Sequence, residues 1–74
     1  MGNYYANELL GKTLDEANNF IKENKVYFNA ENKYRILEIR VKYPGCFYTM
    51  EYCYNRLNVK VNEDNEIYKI INMG

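Results

Sequence analysis

The chain has 74 residues, 47% of them hydrophobic and 27% charged, a balance that marks a globular unit rather than a disordered one. At that length only about 60% of the extended-chain surface can be buried, so one small domain spanning residues 1–74 is expected. Ten Lys and Arg offset ten Asp and Glu without any basic run, and no apolar stretch nears the ~18 residues of a membrane span, which argues against nucleic acid and membrane as partners.

Residues 1–7 contain Tyr4 and Tyr5 but show no period. They read as a partly ordered tail that packs a tyrosine on the core. A basic region followed by an apolar one is missing there, so no signal peptide is visible, and a cytoplasmic or an already processed secreted form is expected. Thr13-Leu14-Asp15-Glu16 is a capping box: the Thr13 hydroxyl accepts from the Glu16 N–H, and the Glu16 carboxylate accepts from the Thr13 N–H. Behind it Leu14, Ala17, Phe20 and Ile21 form one apolar stripe, predicting an amphipathic helix over about 14–25. The segment 26–33 has no clear pattern; Val26-Tyr27-Phe28 either prolongs the helix or begins a small strand, with residues 29–32 as a turn.

Farther on, Leu37, Ile39 and Val41 alternate with Glu38, Arg40 and Lys42, a strand near 35–42 with one buried face. Leu57, Val59 and Val61 alternate with Asn58, Lys60 and Asn62, a second strand near 57–62. Residues 62–66 form a turn cluster, and Ile67-Tyr68-Lys69-Ile70-Ile71 returns antiparallel as a third strand. One helix against half-buried strands is an α+β fold.

Between the first two strands lies 45–56, opened by a Pro44-Gly45 breaker. Phe47, Tyr48, Met50, Tyr52 and Tyr54 in it follow neither a helical nor a strand period. Loops are mostly polar, and exposed apolar groups usually mean binding. The alternative is an irregular edge strand whose aromatics fold back onto the core. Nine Tyr and twelve Asn accompany a complete lack of Ser, His and Trp. A serine triad is therefore impossible, and two Cys cannot supply a four-ligand zinc site. The inventory predicts no enzyme, no metal and no cofactor.

Thr49-Met50-Glu51-Tyr52, then Asn55-Arg56-Leu57 and an alternating strand, resembles the reactive-site loop of the potato inhibitor I family of serine protease inhibitors. Glu8-Leu9-Leu10-Gly11-Lys12-Thr13-Leu14-Asp15-Glu16-Ala17 is similar to that family's opening, and the chain closes on Gly74 as members commonly do. The likeness covers roughly residues 8–24 and 36–74; the extra residues within 26–33 depart from it. It implies a single helix packed on a small mixed sheet, with an exposed reactive-site loop between two parallel strands. It also implies a reversible, substrate-like inhibitor acting as a monomer on subtilisin-like, chymotrypsin-like or elastase-like enzymes.

By the same resemblance the reactive bond is Met50–Glu51, with Phe47, Tyr48, Thr49, Tyr52 and Cys53 contacting the protease. An unbranched thioether at Met50 suits a deep apolar pocket. Loop support falls to Arg56, Asn58 and Gly74, with Arg56 expected to donate to Thr49 and Glu51. The family has a second arginine where this chain has Asn58, so the support is expected to be thinner. Cys46 and Cys53 flank the bond. Seven extended steps span about 20 Å against the ~7 Å a disulfide tolerates, so free thiols are expected; a bridge is the alternative and would lock the loop. Two rival functions share these residues: a non-inhibitory protein-binding domain of the same fold, and a plain substrate whose loop is cut and released.

Overall fold

The computed structural model describes residues 3–43 and 55–74. It opens with a two-residue strand, β1 (Tyr4–Tyr5), and a 3-10 turn over Ala6–Leu9. The expected tail is thus built into the fold. β1 pairs in parallel with β2 (Val26–Tyr27), Tyr4 opposite Val26 and Tyr5 opposite Tyr27. Tyr4, itself exposed, meets the half-buried Phe20 edge-on with centroids 5.0 Å apart. Segments of two residues carry no periodicity, which is why the pairing of β1 and β2 is invisible in the sequence.

The helix α1 (Leu14–Glu23) begins as read. Thr13 N donates to Glu16 Oε1 at 3.0 Å, and Glu16 N donates to Thr13 Oγ1 at 3.2 Å. The Glu16 carboxyl is held below its ordinary value, first by the Thr13 N–H, then by the Thr13 hydroxyl and the charge of Lys12. Ala17 and Ile21 are buried while Leu14 and Phe20 are half-buried at the stripe's margin. The helix stops two residues early, at Asn24, whose backbone N–H and side-chain amide both reach the Phe20 oxygen. A side chain that competes for the last carbonyl ends a helix this way.

Three strands form the main sheet, β3 (Glu38–Val41), β4 (Arg56–Val61) and β5 (Ile67–Met73), in that spatial order. β3 and β4 run parallel, with Glu38 opposite Arg56 and Val41 opposite Val59. β4 and β5 run antiparallel through two irregularities. The turn joining them closes on Asn62, whose Oδ1 accepts from the backbone of Asp64 and Glu66 at 3.0 Å each, while Asn65 takes the left-handed conformation Asn tolerates best after Gly. Gly11, at φ 85, lets the chain turn so that its N–H meets the Ile67 oxygen at 2.8 Å, and Ile67 N returns to Lys12 O at 2.9 Å. The helix start is thereby stitched to the beginning of β5.

The core is Leu9, Ala17, Ile21, Val26, Ile36, Leu57, Val59 and Ile67, with Ala6. One expected member is absent. Leu37 is 58% exposed, and the inward residue is its neighbour Ile36. The N–H groups of Leu37 and Glu38 both donate to the Asn55 oxygen, at 2.9 and 3.2 Å, so regular pairing starts only at Glu38. Alternation therefore cannot be run back from Ile39 through Leu37. Among the described residues no helix is long and apolar enough to cross a membrane.

Candidate functional site

Parallel neighbours cannot be joined by a tight turn, and the chain between β3 and β4 must cross from the end of one to the start of the other. That connection carries Met50 and Glu51, the residues expected to contact a protease (Phe47, Tyr48, Thr49, Tyr52 and Cys53), and also Cys46; all of them lie outside the described residues. The expected bonds from Arg56 to Thr49 and Glu51 fall outside them for the same reason. The roots of the connection are described. On the incoming side Lys42 N donates to Val59 O at 2.9 Å, continuing the parallel ladder beyond β3. On the outgoing side the Asn55 side chain donates to Arg35 O at 2.9 Å, and its backbone oxygen receives Leu37 and Glu38.

β4 leaves this root buried on both faces. Leu57 and Val59 point to the core with no exposure, whereas Arg56 and Asn58 on the other face are 5% and 4% exposed. Both side chains converge on the end of the chain. Arg56 Nε donates to Gly74 O at 3.1 Å, and Asn58 Nδ2 donates to the same oxygen at 3.1 Å and to Asn72 Oδ1 at 2.9 Å. Gly74 N returns to Arg56 O at 2.9 Å, and Gly74 sits at φ 145, a region open to glycine. A buried guanidinium is costly unless hydrogen-bonded, and here the C-terminal residue supplies an acceptor.

The three support residues read from the sequence, Arg56, Asn58 and Gly74, are therefore brought together. Two further members escaped that reading. Asn55 and Asn72 are single asparagines among twelve; strand register makes Asn72 the partner of Asn58, and Asn55 meets Arg35 just outside the paired strands. Asn58 also leaves a debt: its Oδ1 is buried without a hydrogen-bond partner. An orphaned acceptor costs about 1–3 kcal/mol, so the Asn58 amide is satisfied on its donor side only.

Elsewhere, a groove of about 360 Å³ lies between Tyr5, Asn7, Phe28 and Ile71, with no charged side chain in its lining and none of Arg56, Asn58, Asn72 or Gly74. Among the described residues no three His, Cys, Asp or Glu side chains converge as a metal site.

Comparison with known proteins brings in a set of fungal inhibitors. The chain is 41% identical over 59 residues to the elastase inhibitor AFLEI of Aspergillus flavus, a match covering 74% of this chain and 87% of that protein. It is equally identical over the same length to the elastase inhibitor AFUEI of Aspergillus fumigatus, covering 68% of it. No family model matches the chain, and no solved structure does. Identity at this level across most of both chains is decisive: the chain belongs to the family of these fungal elastase inhibitors.

Proposed function

We propose that this protein is a reversible, substrate-like inhibitor of serine proteases of elastase-like, chymotrypsin-like or subtilisin-like specificity, of the potato inhibitor I type, with Met50–Glu51 as its reactive bond. The observation that carries the reading is the strut beneath β4. Arg56 and Asn58, one turn of the pleat apart, are both buried and both bonded to the Gly74 oxygen directly downstream of the connection. A long connection needs no such anchoring merely to link two strands. It needs it if the segment must keep one geometry while a protease holds it. A loop already fixed in its bound shape avoids the ordering cost of binding. After acylation, a leaving segment that stays in place re-forms the bond before water reaches it.

The relatives are named as elastase inhibitors, which supports a protease as partner and an apolar primary pocket as the receiving site. Met50 fits that pocket as an adaptable, uncharged side chain. The orphaned Asn58 Oδ1 favours the second reading, a non-inhibitory binding domain, because an incompletely satisfied strut holds its loop less firmly.

The deciding experiment is a titration against subtilisin, chymotrypsin and a serine elastase, followed by mass measurement of the recovered protein. Stoichiometric, reversible inhibition with the bond largely intact is expected; rapid cleavage without inhibition would make the chain a substrate, and no interaction would leave the binding domain. Met50→Lys tests the bond itself. Central anchors dominate such interfaces, so the variant should move inhibition toward trypsin, whose pocket offers a carboxylate, and lose at least about tenfold against the other three. An unchanged profile would place the contact residue elsewhere.

A further inference from the structure

The charge of the chain sums to zero, yet the sheet does not share it evenly. Strand register sets Glu38 opposite Arg56 and Arg40 opposite Asn58, on the face that turns away from Leu57 and Val59. Period two carries Lys42 and Lys60 onto the same face. On β5, Asn72 stands opposite Asn58 and Lys69 opposite Lys60. One face of the sheet thus gathers Arg40, Lys42, Arg56, Lys60 and Lys69, half of the cations in the molecule, against Glu38 alone among the described residues. Even with Glu51, the single acidic residue in the sequence of the connection, set against them, the cations are in excess, whatever local partner each one has. The acidic residues instead cluster on the helix start and the β4–β5 turn: Asp15, Glu16, Glu63, Asp64 and Glu66.

One pairing in this face works against stability. Lys60 and Lys69 are cross-strand neighbours, and like charges directly opposite are destabilising. Lys69 is exposed and Lys60 half-buried, so neither is needed to fill the core. A repulsive pair on β4 and its antiparallel neighbour β5 is explained if a negative surface meets it on binding.

We propose that this basic sheet face is a second contact surface of the inhibitor, and that it selects serine proteases whose active-site rim is acidic. The inference rests on the inhibitory reading above and names the kind of partner that reading leaves open. The face runs across β3, β4 and β5 and includes Lys42 and Arg56, which stand at the two described roots of the connection, so a protease docked on the connection would approach this face. Charge at the margin of an interface steers encounter: it raises the association rate and its dependence on salt, and hardly alters dissociation. A nucleic acid is the competing occupant of a basic face, but five cations spread over three strands, with Arg56 buried, make a poor track for a phosphate backbone.

The test is Lys60→Gln combined with Lys69→Gln, two residues outside the strut. Association and dissociation rates are measured by progress curves for parent and variant against two serine proteases of like primary specificity, one acidic and one basic around the cleft. Runs at low and high salt complete the set, and fluorescence anisotropy with duplex DNA serves as the polyanion control. The parent should associate faster with the acidic-rimmed enzyme and lose that advantage in high salt. The double variant should associate about tenfold more slowly with it at low salt, with dissociation unchanged and a melting temperature equal to or above the parent's. Equal association rates and equal salt slopes for parent and variant would overturn the proposal while inhibition itself stands. Tighter binding to DNA than to either protease would overturn it in favour of the polyanion. A parent that inhibits neither enzyme removes the inhibitory reading and this one with it.

Discussion

Arg56 and Asn58 occupy alternate positions of β4 and spend their donors on one oxygen, that of Gly74. The two are unequal partners. A guanidinium has five donors in a rigid fork, so Arg56 can serve Gly74 and still reach other acceptors. The Asn58 amide has two donor hydrogens, and both are committed, to Gly74 and to Asn72. Arg56→Ala should therefore be the more damaging change. It removes a buried hydrogen-bonding charge but leaves the core face of β4 intact, for a stability loss of roughly 1–3 kcal/mol. The connection should be cut faster and inhibit more weakly in this variant, beyond what the stability change explains. Asn72→Ala should show the same pattern more mildly, and Asn72→Asp, which keeps the acceptor, should restore it. Unchanged cleavage in Arg56→Ala would make it an ordinary buried residue. Arg56 was legible only through the motif around it. The burial of Asn58 was not legible at all, because strict alternation sends Arg56, Asn58 and Lys60 to the wet face together, and what covers the first two is tertiary.

Among the elements, α1 was the easiest to read and the strands the hardest. Its capping box fixes four residues by local hydrogen bonds, and the stripe behind it extends over two turns. The strand signals were phase-sensitive instead: a shift of one residue exchanges faces, and the double use of the Asn55 oxygen at 37–38 is enough to turn Leu37 outward. The cap has a pH signature. Because the folded Glu16 carboxyl is held below its ordinary value of 4.5 by the Thr13 N–H, Thr13 hydroxyl and Lys12, its stabilising contribution is fully present above pH 4.5. It is lost as pH falls from there through the lower folded value. Glu16→Gln should accordingly lower the melting temperature at neutral pH and make little difference in strong acid, where both side chains are neutral. Thr13→Ala should cost about 1 kcal/mol by removing the other half of the box. A Glu16→Gln penalty of constant size across that pH range would show that the charge contributes nothing to the cap.

At the scale of the molecule, a chain this short has little surplus stability, and its first residues are part of what there is. Tyr4 and Tyr5 read as a tail because two residues cannot display a period, yet they complete a parallel pair with Val26 and Tyr27 and set an aromatic edge on Phe20. The same ring carries Lys12 Nζ at 4.9 Å from its centre. Phe20 is thus held between the N-terminal strand and the residue just before the helix cap. Removing residues 1–5 would uncover Val26, now fully buried, and free one edge of Phe20. Such a loss of covered apolar surface should cost about 1–3 kcal/mol, and in a domain this small each kcal/mol lowers the melting temperature by about 4–8 °C. Among the described residues, Asn3, Tyr4 and Tyr5 have no hydrogen bond to Arg56, Asn58, Asn72 or Gly74, so under the proposed function a truncated chain that is still folded at 25 °C should inhibit as the full one does. Calorimetry on the truncated and full chains, paired with inhibition constants, separates the two effects. An unchanged melting temperature would mean that β1 is an ornament on the fold. A loss of inhibition in a fully folded truncated chain would instead show that the N-terminal strand and the strut are coupled through the sheet.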